Sequence, residues 1–263
     1  MMRRSKLISL MIIISTFMLL STVTVSAKTI SEHEPNDEYS KSNTINVGDK
    51  VYGQLGTRYS SDNGYSRIDR DDYFVFTAPE SGYIKLNAVV YESDFESDQI
   101  GVGTVFDVRN NAGKRIGWNA TYEVYPKKNI PVKFYVRCGK KYYVKVYTTI
   151  SMDCKYYFKI DYTIDKTKIT KVKAKKTSAK VTWKKKNEAS YYQIRYASPS
   201  SYSRFGWTKG KTIKASRNTS SKTITKLKKK HSYYVTVRVV RVVQGKTYYS
   251  GWSGKKLIKT KRK

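Results

Sequence analysis

Glu32, Glu34, Asn36 and Asp37 put four oxygen-bearing side chains into six residues, and Asp69 and Asp72 follow some thirty residues later. On an extended backbone Glu32, Glu34 and Asn36 face one side, Pro35 stiffens the segment, and Asp37 can reach round the bend. Carboxylates held this close repel one another. The cluster is therefore either a solvated acidic turn or a site for a hard cation completed by Asp69 and Asp72, since calcium takes six to eight oxygen ligands. Little else in the chain has the makings of chemistry. His33 and His231 are its two histidines, and there is no H-E-x-x-H, no C-x-x-C and no nucleophile elbow; Gly251-Trp252-Ser253-Gly254 lacks the second spacer residue. Two carboxylates could form a glycosidase pair only at a separation that spacing does not give. Nothing supplies a nucleophile, a base and an orienting group together, so the expectation is a protein that is not an enzyme.

The elements that must position these residues are strands. Short aromatic or β-branched runs lie at 51–55, 73–77, 83–90, 102–108, 130–137, 141–147 and 155–162, broken at Pro79-Glu80-Ser81-Gly82, Asn110-Asn111-Ala112-Gly113 and Gly139. They read as strands separated by turns, with a polar loop from Tyr59 to Tyr65. Seven more runs follow at 169–173, 179–183, 191–196, 212–215, 222–225, 233–243 and 248–258. No segment sustains a 3.6-residue period with caps, so the fold class is all-β, two sandwiches in series.

Several blocks carry a resemblance. Glu-Pro-Asn-Asp at 34–37, Gly53-Gln54-Leu55, Asp72-Tyr73-Phe74-Val75-Phe76 and the run Gly139 to Val146, spread over residues 30–163, resemble the bacterial pre-peptidase C-terminal domain and its relatives, the collagen-binding domains of secreted collagenases. The resemblance implies a jelly-roll-like sandwich. In calcium-binding members an E-x-E-x-N-D segment and a later D-x-x-D supply the ligands, which implies Ca2+ at Glu32, Glu34, Asn36, Asp37, Asp69 and Asp72. It also implies a collagen-like protein as one class of partner. In the second half, Trp183, Tyr191 and Ile194, then Leu227 six residues before Tyr233, with Val235 and Val237, resemble a fibronectin type III domain over 166–260. Tyr233 would be its corner tyrosine, and Lys229 stands where that family usually has Pro. The second resemblance implies a spacer or binding module, not a catalyst, and both modules resemble appendages of secreted hydrolases.

The start of the chain reads as a secretory signal peptide, residues 1–27: Arg3, Arg4 and Lys6, then an apolar run from Leu7 to about Leu20, then Val25-Ser26-Ala27 for cleavage. The run is too short for the ~20 residues of a span. The expected product is extracellular, with no membrane span after cleavage. Charge divides the remainder. Residues 28–164 hold 19 Lys and Arg against 18 Asp and Glu, whereas 165–263 hold 30 against 2, which sets a seam near Ile164-Asp165-Lys166. Cys138 and Cys154 both fall in the first part. Export favours a disulfide, which could contribute ~3 kcal/mol. A simple hairpin of 142–147 with 155–162 would hold them roughly 20 Å apart, beyond bridging distance. The sequence leaves the bond open.

The cations of the second part admit two readings. Lys171, Lys173, Lys175 and Lys180 alternate with apolar residues, as solvated strand faces and protected edges require. A ratio of 30 to 2 goes beyond that and would concentrate polyanions. Lys184, Lys185, Lys186, Lys228, Lys229 and Lys230, in two turns, are the candidate polyanion-binding residues. Tyr202, Phe205 and Trp207 are candidates for stacking on a glycan. The partners expected are anionic cell-wall or matrix polysaccharides; nothing resembles a groove-reading helix, so no specific nucleic acid. Adhesion is the leading function, with an accessory role for a separately encoded secreted hydrolase as the alternative and an unrecognised hydrolase as a third reading.

Overall fold

The computed structural model describes residues 27–59, 66–93, 103–120, 129–149, 153–203, 206–207 and 210–262. The expected signal segment up to Ser26, most of the 59–65 loop and Phe205 lie outside them.

Four principal sheets form two sandwiches. In the first, one sheet orders Thr29–Ser31, Lys50–Tyr59, Cys154–Tyr162, Gly82–Ser93 and Asn129–Val136, with Ser66–Asp69 paired to Lys50–Tyr59. Its partner orders Asn43–Thr44, Asp71–Thr77, Lys141–Thr148, Thr104–Asn110 and Arg115–Ala120. Burial alternates strictly along Asn129–Val136 and Cys154–Tyr162, because successive side chains point to opposite faces. Phe74, Phe106, Tyr156 and Phe158 meet between the sheets, with Phe74 and Phe158 centroids 5.1 Å apart and Phe106 and Tyr156 centroids 5.7 Å apart. Fully buried aromatics of this kind contribute about 2 to 3 kcal/mol each.

One expectation is corrected here, and the question left open at the cysteines is answered. Lys141–Thr148 and Cys154–Tyr162 are not a hairpin: the former lies between Asp71–Thr77 and Thr104–Asn110, the latter between Lys50–Tyr59 and Gly82–Ser93 in the opposite sheet. Each run has an apolar inner face, so the chain crosses the core between them, as sandwich strands do. Cys138 and Cys154 form no disulfide; Cys138 is exposed in a turn and Cys154 is buried beside the Thr104 hydroxyl, at 3.3 Å. A strand not foreseen, Arg115–Ala120, forms a hairpin with Thr104–Asn110. The Asn110 side chain builds that turn by accepting from the amides of Ala112 and Lys114, each at 3.0 Å.

The second sandwich packs Ile169–Ala174, Ala179–Trp183 and Ser221–Ile224 against Lys211–Ser216, Tyr191–Ala197, Ser232–Val243, Lys246–Tyr249 and Lys256–Lys259. Trp183 and Tyr192, centroids 5.2 Å apart, fill its centre. The single run expected over 248–258 is two strands. Between them Ser250 and Ser253 take over the ladder: their hydroxyls accept from the amides of Val239 and Val237, and their own amides donate to the carbonyls of the same two residues. Arg238 is sandwiched there between the Tyr249 and Trp252 rings, at 4.0 and 4.5 Å. Tyr233 acts as the corner tyrosine, its hydroxyl accepting from the Lys228 amide at 2.9 Å.

The two sandwiches meet at a polar junction. Arg241 is 4% exposed; its guanidinium donates to Glu80 Oε2 at 2.9 Å and to the Ser81 carbonyl at 2.7 Å. Gly82 makes this approach feasible, since a Cβ there would collide with the guanidinium. Lys246 pairs with Asp161 at 3.0 Å, and Tyr162 meets Tyr248 edge to face at 5.5 Å. Removing one partner of a buried ion pair leaves the remaining polar groups desolvated. Arg241→Ala should therefore separate one thermal transition into two and lower the weaker by about 1 to 2 kcal/mol, discounted because Glu80 is partly exposed. A single unchanged calorimetric transition would refute that coupling.

Candidate cation site and basic pole

The acidic cluster is assembled by both sheets of the first sandwich. Thr29–Ser31 pairs in parallel with Lys50–Tyr52, and the ladder continues with the Glu32 amide donating to the Tyr52 carbonyl at 2.9 Å. Burial then alternates from Glu32 to Asn36, with His33 and Pro35 exposed, as an extended backbone dictates. Asn43 fixes the outward side of this segment: it accepts from the His33 amide at 2.6 Å and donates to the His33 carbonyl at 2.8 Å. The Tyr73 amide donates to the Asn36 carbonyl at 2.9 Å, which draws the turn onto Asp71–Thr77 and so onto Asp72. Asp69 arrives from the neighbouring sheet, opposite Gly56.

All six residues singled out from the sequence come together. Carboxylate oxygens of Glu32, Glu34 and Asp72 lie within 4.8 Å of one another, as do those of Glu34, Asp37 and Asp69, so Glu34 joins the two groups. Asn36 is fully buried. Its side chain lies between Glu34 and Asp72, and with the amide nitrogen turned toward them it donates to Glu34 Oε1 at 3.2 Å and to Asp72 Oδ1 at 2.8 Å. The donor set is oxygen throughout, which suits calcium and disfavours zinc, whose sites draw on sulfur and nitrogen.

Burial, followed by the charges of Glu32 and Asp69, holds the Asp72 carboxyl well above the usual carboxylate range. Tyr156 answers part of this, donating to Asp72 Oδ2 at 2.5 Å and lying 3.4 Å from Glu32 Oε2; burial and then the Asp72 charge push its own phenol up. Glu32 Oε1 also accepts from the Gln54 amide at 2.7 Å. Tyr156 and Gly53 are the members that sequence reasoning missed. Their signal was faint: Gly53 stands in one of the blocks of the resemblance, and a Cβ there would strike the Tyr156 hydroxyl and the Glu32 carboxylate.

The six candidate lysines are not one patch. Trp183 pairs beside Ser220 and Ser221, whereas Ile224 pairs with Ala179 at the other end of the same strand. The turns at 184–186 and 228–230 therefore lie at opposite ends of the second sandwich. Lys184 and Lys185 are exposed near the junction, and Lys186 is half-buried with its ammonium 3.9 Å from Asp165. Lys228, Lys229 and Lys230 share the far end with Lys175, Lys176 and Lys261, since Leu227 donates to the Thr177 carbonyl, Lys261 to Lys175 and Lys230 to Lys261. Lys211, opposite Tyr196, joins the same pole. Of the stacking candidates, Tyr202 and Trp207 pair across a two-residue ladder.

No protein-family model and no curated protein matches the chain. Among solved structures, the pre-peptidase C-terminal domain of a collagenase from Bacillus anthracis aligns over 49% of this chain and 100% of its own, at 16% identity and a TM-score of 0.33. The fibronectin type III domain of human contactin 1 aligns over 38% of this chain and 80% of its own, at 15% identity and a TM-score of 0.32. A fibronectin type III domain of human collagen XX covers 37% and 96% respectively, at 14% identity and a TM-score of 0.28. These likenesses fall on the two families that the sequence resembles. The β-sandwich fold itself stands on the sheets described above.

Extracellular calcium modules bind near 10⁻⁴ to 10⁻³ M, so millimolar calcium should stabilise the full chain by about 1 kcal/mol through mass action. Asp72→Asn should raise the melting midpoint in chelator, because it removes a buried charge that its neighbours repel, and should abolish the calcium shift. Differential scanning calorimetry of both proteins, with calcium and with chelator, checks the pair of effects. Gly53→Ala should lower stability by about 1 to 3 kcal/mol through overpacking against Tyr156.

Proposed function

We propose that this is an extracellular, non-catalytic binding protein that attaches to anionic polymers of a cell surface or matrix through the basic pole of its second sandwich, with calcium consolidating the first. The reading rests on how the cations are placed. No Asp or Glu follows Glu188 in the sequence, and the acids of the second half, Asp165 and Glu188, line the junction with the first sandwich. The opposite pole gathers lysines from several turns and strand ends, and no carboxylate is among the described residues that line it. Lys173 and Lys180, both exposed, stand directly across from each other on the outer sheet face. Like charges in that relation are destabilising, and a polyanion laid along the face would relieve them. Charges so placed act over a Debye length of ~8 Å at physiological salt.

Several carboxylates of the first sandwich outside the cluster and the junction have structural partners: Asp107 lies between Arg109 and Arg115 at 2.8 and 3.0 Å, Asp71 pairs with Lys145 at 2.9 Å, and Asp49 accepts from the Lys28 and Asn46 amides. This supports a binding role. Exposed Tyr83 and Tyr135, edge to face at 5.2 Å on one sheet face, offer the first sandwich an aromatic surface for a matrix polymer or a collagen-like protein.

Retention of the full chain on heparin, teichoic acid and duplex DNA across a salt series tests the proposal. Affinity should fall steeply with salt and show no base-sequence preference, each phosphate contact adding about 0.9 to the slope on DNA. Changing Lys228, Lys229 and Lys230 to Gln should reduce that slope by about 2 to 3, and the same change at Lys184, Lys185 and Lys186 by less than about 1. Retention indifferent to salt would overturn the polyanion reading.

A further inference from the structure

The basic pole contains a pocket as well as a surface. A cavity of about 460 Å3 opens between the end of Tyr191–Ala197, the start of Lys211–Ser216 and the turn 226–231. Tyr196 and Tyr233 line it, with ring centroids 6.4 Å apart at a steep angle. Around them stand Lys211, Lys226, Lys228 and His231, Ser198 also lines the cavity, and no acid is among the described lining residues. The volume falls within the range of small-ligand sites, about 300 to 1,000 Å3.

The turn that carries the cations is held rigidly. Leu227 is buried beneath it, and the Lys228 amide is bonded to the Tyr233 hydroxyl. Thr260 Oγ1 accepts from the His231 amide at 2.7 Å and lies 2.7 Å from the Lys228 carbonyl, to which it donates. Lys226 and Lys230 both adopt left-handed backbone, at φ 58° and 52°. Glycine or asparagine would take such positions at less cost, so lysine there places charge at the expense of backbone ease, as strained residues at binding sites do. A preorganised cationic rim loses little freedom on binding. Solvation alone would be served by lysines on a flexible turn.

We infer that this pocket recognises a single anionic sugar residue, its ring against Tyr196 and Tyr233 and its carboxylate or sulfate among Lys211, Lys226 and Lys228. The aromatic pair distinguishes this from a bare anion hole: a pyranose offers C–H faces to an aromatic ring, and its hydroxyls can reach Ser198 and His231. The inference rests on the polyanion reading and adds to it a defined site, with one residue of the polymer seated and the rest of the chain running over Lys175, Lys176 and Lys261.

Calorimetric titration of the full chain with a sulfated heparin disaccharide, a galacturonate disaccharide and inorganic sulfate tests this, beside retention on the heparin polymer. At least one disaccharide should bind more tightly than sulfate by tenfold or more. The double change Lys211→Gln, Lys228→Gln should weaken that disaccharide at least tenfold. Lys173→Gln, Lys180→Gln, which removes the same charge from the outer sheet face, should weaken it less than twofold. Tyr196→Leu, which keeps apolar bulk, should bring the disaccharide down towards sulfate, with circular dichroism showing the fold retained. Polymer retention without binding of either disaccharide would overturn the pocket and leave the polyanion reading standing. Equal losses from the two lysine pairs, or sulfate binding as tightly as the disaccharides, would overturn it as well. Loss of polymer retention altogether would overturn both.

Discussion

A cation that cannot find an acid must face water. That constraint governs the second sandwich, because the sequence supplies it with acids at Asp165 and Glu188 and none beyond. Burying an ammonium or guanidinium without a partner costs several kcal/mol, so strand after strand turns its lysines outward and its valines inward. The cations that do turn in lie where the first sandwich can answer them. Arg241 reaches Glu80 and Lys246 reaches Asp161; Arg238 is held by the Gln193 side chain and two aromatic rings instead. The junction is thus the place where a near-neutral sandwich supplies the counter-charges that a basic one lacks.

The same problem arises with opposite sign in the first sandwich. Five carboxylates and an amide converge around Glu34, and the fold draws Asp72 into a fully buried position among them. Tyr156 can donate one proton and no more. A hard divalent cation would relieve the repulsion that remains, and the oxygen donors that the strands present suit one. The two ends of the molecule therefore complement each other: an excess of negative charge gathered inward at one site, and an excess of positive charge spread outward over a pole and a sheet face.

Polar residues also set where strands stop. Ser250 and Ser253 bond the amides of Val239 and Val237 through their hydroxyls, which satisfies the central strand where its neighbour breaks. Asn110 does the same inside one hairpin turn, and Tyr233 at the turn that crosses between the two sheets of the second sandwich. These bonds make the turns rigid platforms, and the rigidity of the 226–231 turn lets its lysines present a shaped pocket instead of a diffuse charge.

Much of this could be read from the chain directly. The two-residue alternation gave nearly every strand, because burial on one face fixes which residues may be apolar, and the same alternation put Glu32, Glu34 and Asn36 on one side. Tyr233 was recognisable from its spacing after Leu227. What the sequence could not give was partnership between distant strands. Lys141–Thr148 and Cys154–Tyr162 are neighbours along the chain yet belong to opposite sheets, since pairing is decided by which faces close the core and not by chain proximity. For the same reason Tyr156, one inward tyrosine among many, was not legible as the residue that bonds Asp72. The lysine runs at 184–186 and 228–230 looked equivalent until antiparallel pairing sent them to opposite ends, one beside the acids of the junction and the other to a pole with none among its described residues.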